Sequence, residues 1–238
     1  MSRLGTATAA HVRSFAREPV NLGFLFVLPP VVVEVYGRAM ATFPEFPFAT
    51  AGAGTLGRVA GTLFSTAFVA GLLGLFQVIS ARRGDERLVL CGLGRTTLLA
   101  SRLAALVAAT LAVAAVSLVV LSLSTAVSAP GVAYAALVGA GLLYGLLGVV
   151  VGAVLPRELE GSLVLVFLAD ADSALSTGIF ATDAPLVEFF PLHYPHALFT
   201  DAVTTGTVRG GDAAATAAYV LAALAAAFVA YRARGVSG

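Results

Sequence analysis

The chain has 238 residues with a formal net charge of +1, and 59% of them are hydrophobic while only 11% are charged. Its mean hydropathy is +0.95. In soluble domains about a quarter of the residues are charged, so this composition excludes a soluble globular protein. We therefore expect an all-α polytopic membrane protein in which residues 1–238 form a single transmembrane domain.

Residues 1–18 precede the first hydrophobic stretch and contain no apolar run typical of a cleaved signal peptide. Leu4, Val12 and Phe15 would share one face of a helix, with arginines pointing away from it. The pattern predicts an amphipathic helix on the inner membrane surface, and a frayed tail is the alternative.

Six stretches are predicted to cross the membrane, because a span needs about 20 apolar residues to cross the hydrocarbon layer. Three of them contain uncharged runs of that length. The first stretch carries Pro29, Pro30 and Glu34, and the fifth carries Asp170 and Asp172. The predicted spans are residues 20–36, 59–80, 98–123, 132–155, 161–182 and 213–231.

The arginines predict the orientation, since positive residues gather in short cytoplasmic loops. With both termini in the cytoplasm, the outer segments hold only Arg38, Arg58 and Arg209 of the 14 basic residues. The inner segments hold the remaining 11 of the 14: Arg3, Arg13, Arg17, Arg82, Arg83, Arg87, Arg95, Arg102, Arg157, Arg232 and Arg234. We expect a multi-pass protein of the cell membrane with both termini inside.

Several catalytic motifs are absent from the sequence. There is no lysine, so the phosphate-binding pattern GxxxxGK[ST] is missing, and neither GxSxG nor HExxH occurs. We expect no catalytic residue, no metal site and no cofactor in this chain. A partner protein or an ion gradient would then drive any work that it does.

The predicted inner loop at residues 81–97 has an ordered pattern. Gly84 and Asp85 can open a short helix, an apolar run follows, and Gly92 and Gly94 end it. Thr96 or Thr97 is expected to cap the next span. Such a loop predicts a short helix that lies parallel to the membrane and transmits force; a solvated basic loop that serves only topology is the alternative.

This loop resembles the cytoplasmic loop between the second and third spans of ABC transporter permeases of the type-2 export class. In that family charged residues, a short hydrophobic helix and a Ser/Thr-Arg step precede the next span. Gly92 stands where proline is usual, and Arg102 where lysine is usual. The matching residues are Arg82, Arg83, Asp85 and Glu86 for the charged part, Leu88, Val89 and Leu90 for the helix, and Arg95, Thr96 and Arg102 for the step.

The resemblance extends along the chain, through the stretch REPVNLGFLFVLPP and the turn LPRELEGSLVL. It implies a permease, a prokaryotic exporter subunit, that pairs with a second copy or a related permease and with two cytoplasmic ATP-binding cassette subunits. Those subunits would bind ATP and Mg, and the surroundings would be membrane lipid, not nucleic acid. The residues expected to couple to the ATPase are Arg83, Asp85, Glu86, Arg87, Leu88, Leu90 and Arg95.

The arginine-only usage and the abundance of Ala, Gly and Val are typical of a GC-rich prokaryotic genome, such as that of a haloarchaeon. No feature of the sequence selects the transported substrate.

Asp170 and Asp172 interrupt an otherwise apolar stretch. Carboxylates at mid-membrane are costly and are usually functional or paired. Residues two apart on a helix point about 200° away from each other, so both cannot face one small ligand. A structural hydrogen-bond anchor and the lining of a translocation path, with Glu34 contributing, remain equal alternatives, whereas a metal-binding D-x-D motif is disfavoured by the apolar surroundings.

Residues 183–212 are predicted to form short broken helices that dip into the outer interface, as a re-entrant segment rich in aromatic residues. His193 and His196 are spaced as metal ligands can be, but Pro195 is expected to interrupt the helix between them. An aromatic belt and outer gate is the favoured interpretation.

Two further expectations concern packing and function. Gly141, Gly145, Gly148 and Gly152 form a smooth stripe on the fourth span, which favours close packing within the chain over a dimer seam. The alternative function is an ion-coupled secondary carrier that uses Asp170 or Asp172 as a proton or cation relay; a polyprenyl transferase is disfavoured because its DDxxD motif is absent.

Overall fold

The computed structural model describes residues 19–42, 52–80, 94–176 and 185–233. Within these ranges the regular secondary structure is entirely helical. The α-helices are α1 (Pro19–Phe26), α2 (Leu28–Ala41), α3 (Ala53–Ile79), α4 (Arg95–Ser122), α5 (Pro130–Val154), α6 (Glu158–Ser176), α7 (His193–Thr204) and α8 (Gly210–Ala233), and a short 3-10 helix covers Pro185–Phe189.

Five segments of this part of the chain are long and apolar enough to cross a membrane, which is the architecture of a multi-pass helical membrane protein. They are Leu22–Ala41, Ala53–Ile79, Thr96–Ser122, Pro130–Val154 and Gly210–Ala233. Helix α6 is not among them, because four acidic residues interrupt its apolar character: Glu158, Glu160, Asp170 and Asp172. The predicted span 161–182 begins within α6, and its residues 177–182 lie outside the described ranges.

The first predicted span, 20–36, differs most from the structure. Its helix bends at Val27, and Pro29 and Pro30 occupy the first turn of α2, where a missing amide hydrogen costs little. The helix then continues to Ala41, beyond the predicted end of the span at Tyr36. The charge of Arg38 does not stop the helix, because its Nε donates to Glu34 Oε1 one turn earlier at 2.8 Å.

The start of α4 also differs from the prediction. Gly94 is its N-cap residue and no side chain caps the helix, so the expected cap at Thr96 or Thr97 was wrong. The amides of Thr97 and Leu98 both donate to the carbonyl oxygen of Gly94, so both threonines lie inside the first helical turn and not at the cap. Arg102, two turns into α4, is 3% exposed.

Helix α3 is the centre of the bundle, and it packs against α2, α4, α5 and α6. In its most apolar window 89% of the residues are buried, compared with 17% in α8. Helix α8 therefore lies at the periphery, where it packs on α5 and α7.

Glycines allow α3 and α5 to approach within backbone contact. A Cβ atom on Gly148 would overlap the carbonyl oxygen of Gly71, and one on Gly74 would overlap that of Gly145. Gly141 and Gly152 likewise face side chains and backbone of α3. The prediction that this stripe serves packing within the chain is confirmed, and backbone contact of this kind supplies the attraction that apolar burial alone cannot give in lipid.

Consecutive helices from α2 to α6 run in opposite directions. Helix α2 is antiparallel to α3, because Gly54 lies near Ala41 and Gly61 near Val32. In the same way α4 is antiparallel to α5, and α6 to α3, while α5 and α8 run parallel to α3 and to each other. The turn at Ser128 therefore lies at one end of the bundle, which we call the Ser128 end. Arg157 lies at the opposite end, which we call the Arg157 end.

Candidate functional site

Asp172 is fully buried and its carboxylate accepts hydrogen bonds from three parts of the chain. The Tyr144 hydroxyl of α5 donates to Oδ2 at 2.6 Å. The backbone amide of Leu192 lies 3.1 Å from Oδ1 and 3.0 Å from Oδ2. The Ser176 hydroxyl donates to Oδ1 at 3.2 Å. A buried carboxylate is tolerated only when its oxygens are satisfied in this way, so Asp172 is a hydrogen-bond anchor.

The backbone amide that donates to Asp172 belongs to Leu192, which is the N-cap residue of α7. The first amides of a helix lack partners within the helix, and the positive end of its dipole favours a carboxylate. Because Leu192 has no polar side chain of its own, Asp172 supplies from α6 the cap that the sequence at this helix start does not provide.

Helix α7 is fixed at both ends. Its beginning is joined through Asp172 to Tyr144, which lies about 21 Å along α5 from Pro130. At its other end the amides of Ser128 and Ala129 donate to the carbonyl oxygens of Val203 and Ala202. The 12 residues of α7 cover about 18 Å, so the helix lies alongside α5 from the Ser128 end to the middle of the bundle.

The residues that precede α7 are held by α8 at the level of Tyr144 along the bundle. The Tyr219 hydroxyl of α8 donates to the carbonyl oxygens of Phe189 at 3.3 Å and Glu188 at 3.4 Å. The rings of Tyr194 and Tyr219 lie 5.8 Å apart. The segment 185–192 thus reaches the level of Tyr144 and is held between α5, α6 and α8.

Asp170 faces a different part of the molecule. It is exposed, and its Oδ1 accepts a hydrogen bond of 3.1 Å from the hydroxyl of Tyr36 on α2. Since Asp172 points to α5 and α7, the two carboxylates diverge as the geometry of a continuous helix requires. They do not share a ligand.

A row of aromatic rings begins at the partner of Asp170. The ring of Tyr36 stacks on Phe64 with centroids 5.4 Å apart, and Phe64 stacks on Phe68 at 5.6 Å. Phe68 is partly exposed and packs against the cluster around Leu165 of α6. Rings from α2 and α3 therefore accompany the exposed carboxylate of α6.

Glu34 belongs to a separate cluster. Its carboxylate pairs with Arg38 at 2.8 Å and with Arg58 of α3 at 3.6 Å. Gly37 makes this possible, because a Cβ atom there would collide with the side chain of Arg58. Glu34 therefore contacts these arginines. Of the two aspartates in α6, Asp170 is the one that bonds to α2, through the hydroxyl of Tyr36.

His193 and His196 lie in the first turn of α7. Pro195 was predicted to interrupt this helix, and that prediction was wrong. A proline in the first turn removes an amide that would have no helical partner, so the helix continues through it. Within the described ranges no group of three or more His, Cys, Asp or Glu residues is placed to hold a metal ion. Burial, and then the proximity of His193, lowers the pKa of His196 to about 4.

The predicted interfacial helix at 1–18 and the loop residues 81–93 lie outside the described ranges. Arg83, Asp85, Glu86, Arg87, Leu88 and Leu90 therefore remain predictions. Of the expected coupling residues, only Arg95 is described, and it begins α4 immediately after Gly94.

Sequence reasoning missed Tyr36 and Tyr144, the hydroxyl donors to the two aspartates. The available signal was weak, because each tyrosine lies in a stretch made mostly of residues that have no polar side-chain atom. A buried tyrosine hydroxyl usually finds a partner, and a buried carboxylate needs donors, so the pairing was a possible expectation.

No protein-family model matches the sequence, and no curated protein shows significant similarity to it.

Proposed function

We propose that this chain is the transmembrane subunit of an ATP-driven ABC transporter of the type-2 export class. In this proposal α6 is a sixth span, both termini are cytoplasmic, and the protein resides in the cell membrane. A second copy or a related permease completes the translocation path, and two cytoplasmic ATP-binding cassette subunits bind ATP and Mg and drive transport.

The observation that carries the proposal is the exposed carboxylate of Asp170 within an apolar helix. The neighbouring exposed residues Leu163, Val164 and Phe167 would suit lipid, whereas a carboxylate facing lipid would cost about 2.5 to 3.5 kcal/mol on insertion scales. If the exposed side of α6 and a second permease enclose a water-containing path, the carboxylate of Asp170 faces water and the cost of placing it in lipid does not arise.

The direction of the helices supports the sixth span. Helix α6 has 19 residues and is about 28 Å long, close to the thickness of the hydrocarbon layer. It runs from the Arg157 end towards the Ser128 end, antiparallel to α3. Segment 185–204 then reaches the middle of the bundle from the Ser128 end, which suits a re-entrant segment on the outer side.

The charge distribution supports the orientation. The described arginines of the proposed outer side each pair with a carboxylate, Arg38 and Arg58 with Glu34 and Arg209 with Asp201. Helix α3 ends and α4 begins at the Arg157 end. In the proposal the charged sequence that joins them, residues 81–93, is where a cytoplasmic ATPase would dock.

The first test is affinity purification of the tagged protein in mild detergent, followed by mass spectrometry. We expect a stoichiometric ATP-binding cassette subunit. Recovery of this chain alone, together with uptake or efflux that follows an ion gradient, would instead support an ion-coupled carrier that uses Asp170.

The coupling loop has its own test once the subunits copurify. Exchanging the charges of Asp85 and Arg87, as Asp85→Arg with Arg87→Asp, should abolish stimulation of the ATPase while membrane insertion is kept. The control exchanges the exposed pair Arg157 and Glu160, which lie 3.1 Å apart at the same end of the bundle. Unchanged stimulation in the loop variant would reject the coupling role.

A further inference from the structure

The face around Asp170 combines a carboxylate with aromatic and aliphatic surface. Phe167 precedes Asp170 by one helical turn and is 71% exposed. Leu163 and Val164 continue the exposed apolar surface along α6. Tyr36 and Phe68 are partly exposed on α2 and α3 beside it. We name this surface the Asp170 face.

The hydrogen-bonding capacity of Asp170 is not used up within this face. An ionised carboxylate can accept about four hydrogen bonds, and among the described residues Asp170 has one donor, the Tyr36 hydroxyl at 3.1 Å. That donor is neutral, so it does not compensate the negative charge. The face therefore retains a charge that a cationic group would complement.

The aromatic rings supply the second element of recognition. The faces of aromatic rings attract cations through their quadrupole, and they attract quaternary ammonium groups best when the site is shielded from water. Tyr36, Phe64 and Phe68 form a continuous stack that starts at the hydrogen bond to Asp170. A carboxylate beside such a stack is complementary to a cation whose charge is carried on a bulky apolar body.

We propose that the Asp170 face binds lipophilic organic cations, with the carboxylate of Asp170 opposite the charge and the rings of Tyr36, Phe68 and Phe167 against the apolar body. This inference rests on the proposed function, because it names the substrate class of the proposed path.

Other ligand classes fit the face less well. The described arginines of α2 and α3, Arg38 and Arg58, are paired with Glu34, so these helices offer an anionic substrate no free positive partner. A metal ion needs several ligands such as carboxylates, imidazoles or thiolates, and no such group of three occurs among the described residues. An uncharged lipid would leave the carboxylate without compensation.

The test measures equilibrium binding of tetraphenylphosphonium to the full-length protein in lipid nanodiscs, without ATP and without any partner. Tetraphenylborate has the same shape and the opposite charge, so it separates charge recognition from partitioning into apolar surface. We expect saturable binding of the phosphonium ion, and Asp170→Asn should weaken it by about tenfold or more because the charge is lost while the shape is kept.

Three further variants separate binding from folding. Glu188→Gln removes another exposed carboxylate, outside the Asp170 face, and should leave binding unchanged. Tyr36→Phe removes the hydrogen bond to Asp170 but keeps the ring, so binding should persist, whereas Tyr36→Leu should weaken it. A purely structural role of Tyr36 would make both substitutions equally harmful.

Equal binding of both tetraphenyl ions, or unchanged phosphonium binding by Asp170→Asn, would overturn the inference. The inference would also be overturned if no phosphonium binding is found and Phe167→Cys forms a cross-link between two copies of the chain. The second copy would then cover the Asp170 face. Copurification of an ATPase without phosphonium binding would refute the cation class alone. Asp170-dependent binding without an ATPase partner would refute only the ATP-driven mechanism.

Discussion

The hydroxyl of Tyr144 on α5 donates a hydrogen bond of 2.6 Å to Oδ2 of Asp172 on α6, and both side chains are fully buried. The same carboxylate also accepts a hydrogen bond from the amide of Leu192 and so caps the first turn of α7. Two residues in adjacent helices thus determine where a third helix begins.

Replacement of Tyr144 by Phe should lower the free energy of unfolding by about 2 kcal/mol, because the hydrogen bond goes to a buried charged group that has few other donors. The measurement is the thermal midpoint in detergent. Tyr134→Phe is the matched control, since the Tyr134 hydroxyl donates to a backbone carbonyl oxygen, that of Leu111, at an exposed position. Equal small losses in both variants would show that Asp172 does not depend on Tyr144.

Gly148→Ala should destabilise the protein by about 1 to 3 kcal/mol or more, because its Cβ would meet the backbone of Gly71 and Leu75, which cannot rotate away. Gly131→Ala, in the first turn of the same helix, meets nothing within 4 Å and should be neutral or slightly stabilising. Thermal unfolding of the two variants in the same detergent checks this. Similar stability of both would mean that α3 and α5 are not in backbone contact.

The contribution of His196 to stability should decrease as the pH falls from about 6.5 towards 4. Burial lowers the pKa of His196 to about 4 in the folded protein, so the unfolded chain binds a proton in this range that the folded protein does not. Replacement by Gln should make the thermal midpoint less dependent on pH within this window. A pH dependence identical to that of the unmodified protein would contradict the assignment to His196.

The proposed orientation is tested by labelling with a membrane-impermeant maleimide in intact cells, in a Cys91→Ser background. Thr207→Cys, at the exposed Ser128 end, should react without permeabilisation. Ser80→Cys, at the end of α3, should react only after the membrane is opened. Labelling with the reverse preference would place the termini outside and exclude a cytoplasmic coupling loop.

Each of the five described candidate spans overlaps a stretch predicted from apolar length, to within a few residues at α4, α5 and α8 and less closely at α2 and α3. Charge was a poorer guide to helix ends. Arg38 does not end α2, because it pairs within the helix, and α3 begins at Ala53, well before the predicted residue 59. Local composition does not report such compensation between a charge and its partner one turn away.

For the candidate site, the divergence of Asp170 and Asp172 followed from helix geometry alone. Their partners did not, because Tyr36, Tyr144 and Leu192 come from three distant parts of the chain. Which alternative applied to which aspartate therefore depended on tertiary packing: Asp172 is an anchor, whereas Asp170 retains the exposure that a path requires.

The glycine contact between α3 and α5 has a consequence for biosynthesis. Helix α3 emerges from the ribosome before α4, α5 and α6, which later cover most of its surface. A newly inserted α3 is therefore surrounded by lipid, and its backbone groove at Gly71 and Gly74 stays unoccupied until residues 145–148 of α5 have been synthesised. This helix is long and apolar enough to remain in the membrane by itself. The order of synthesis therefore leaves its backbone contact with α5 to be made after α4 has been inserted between them in the sequence.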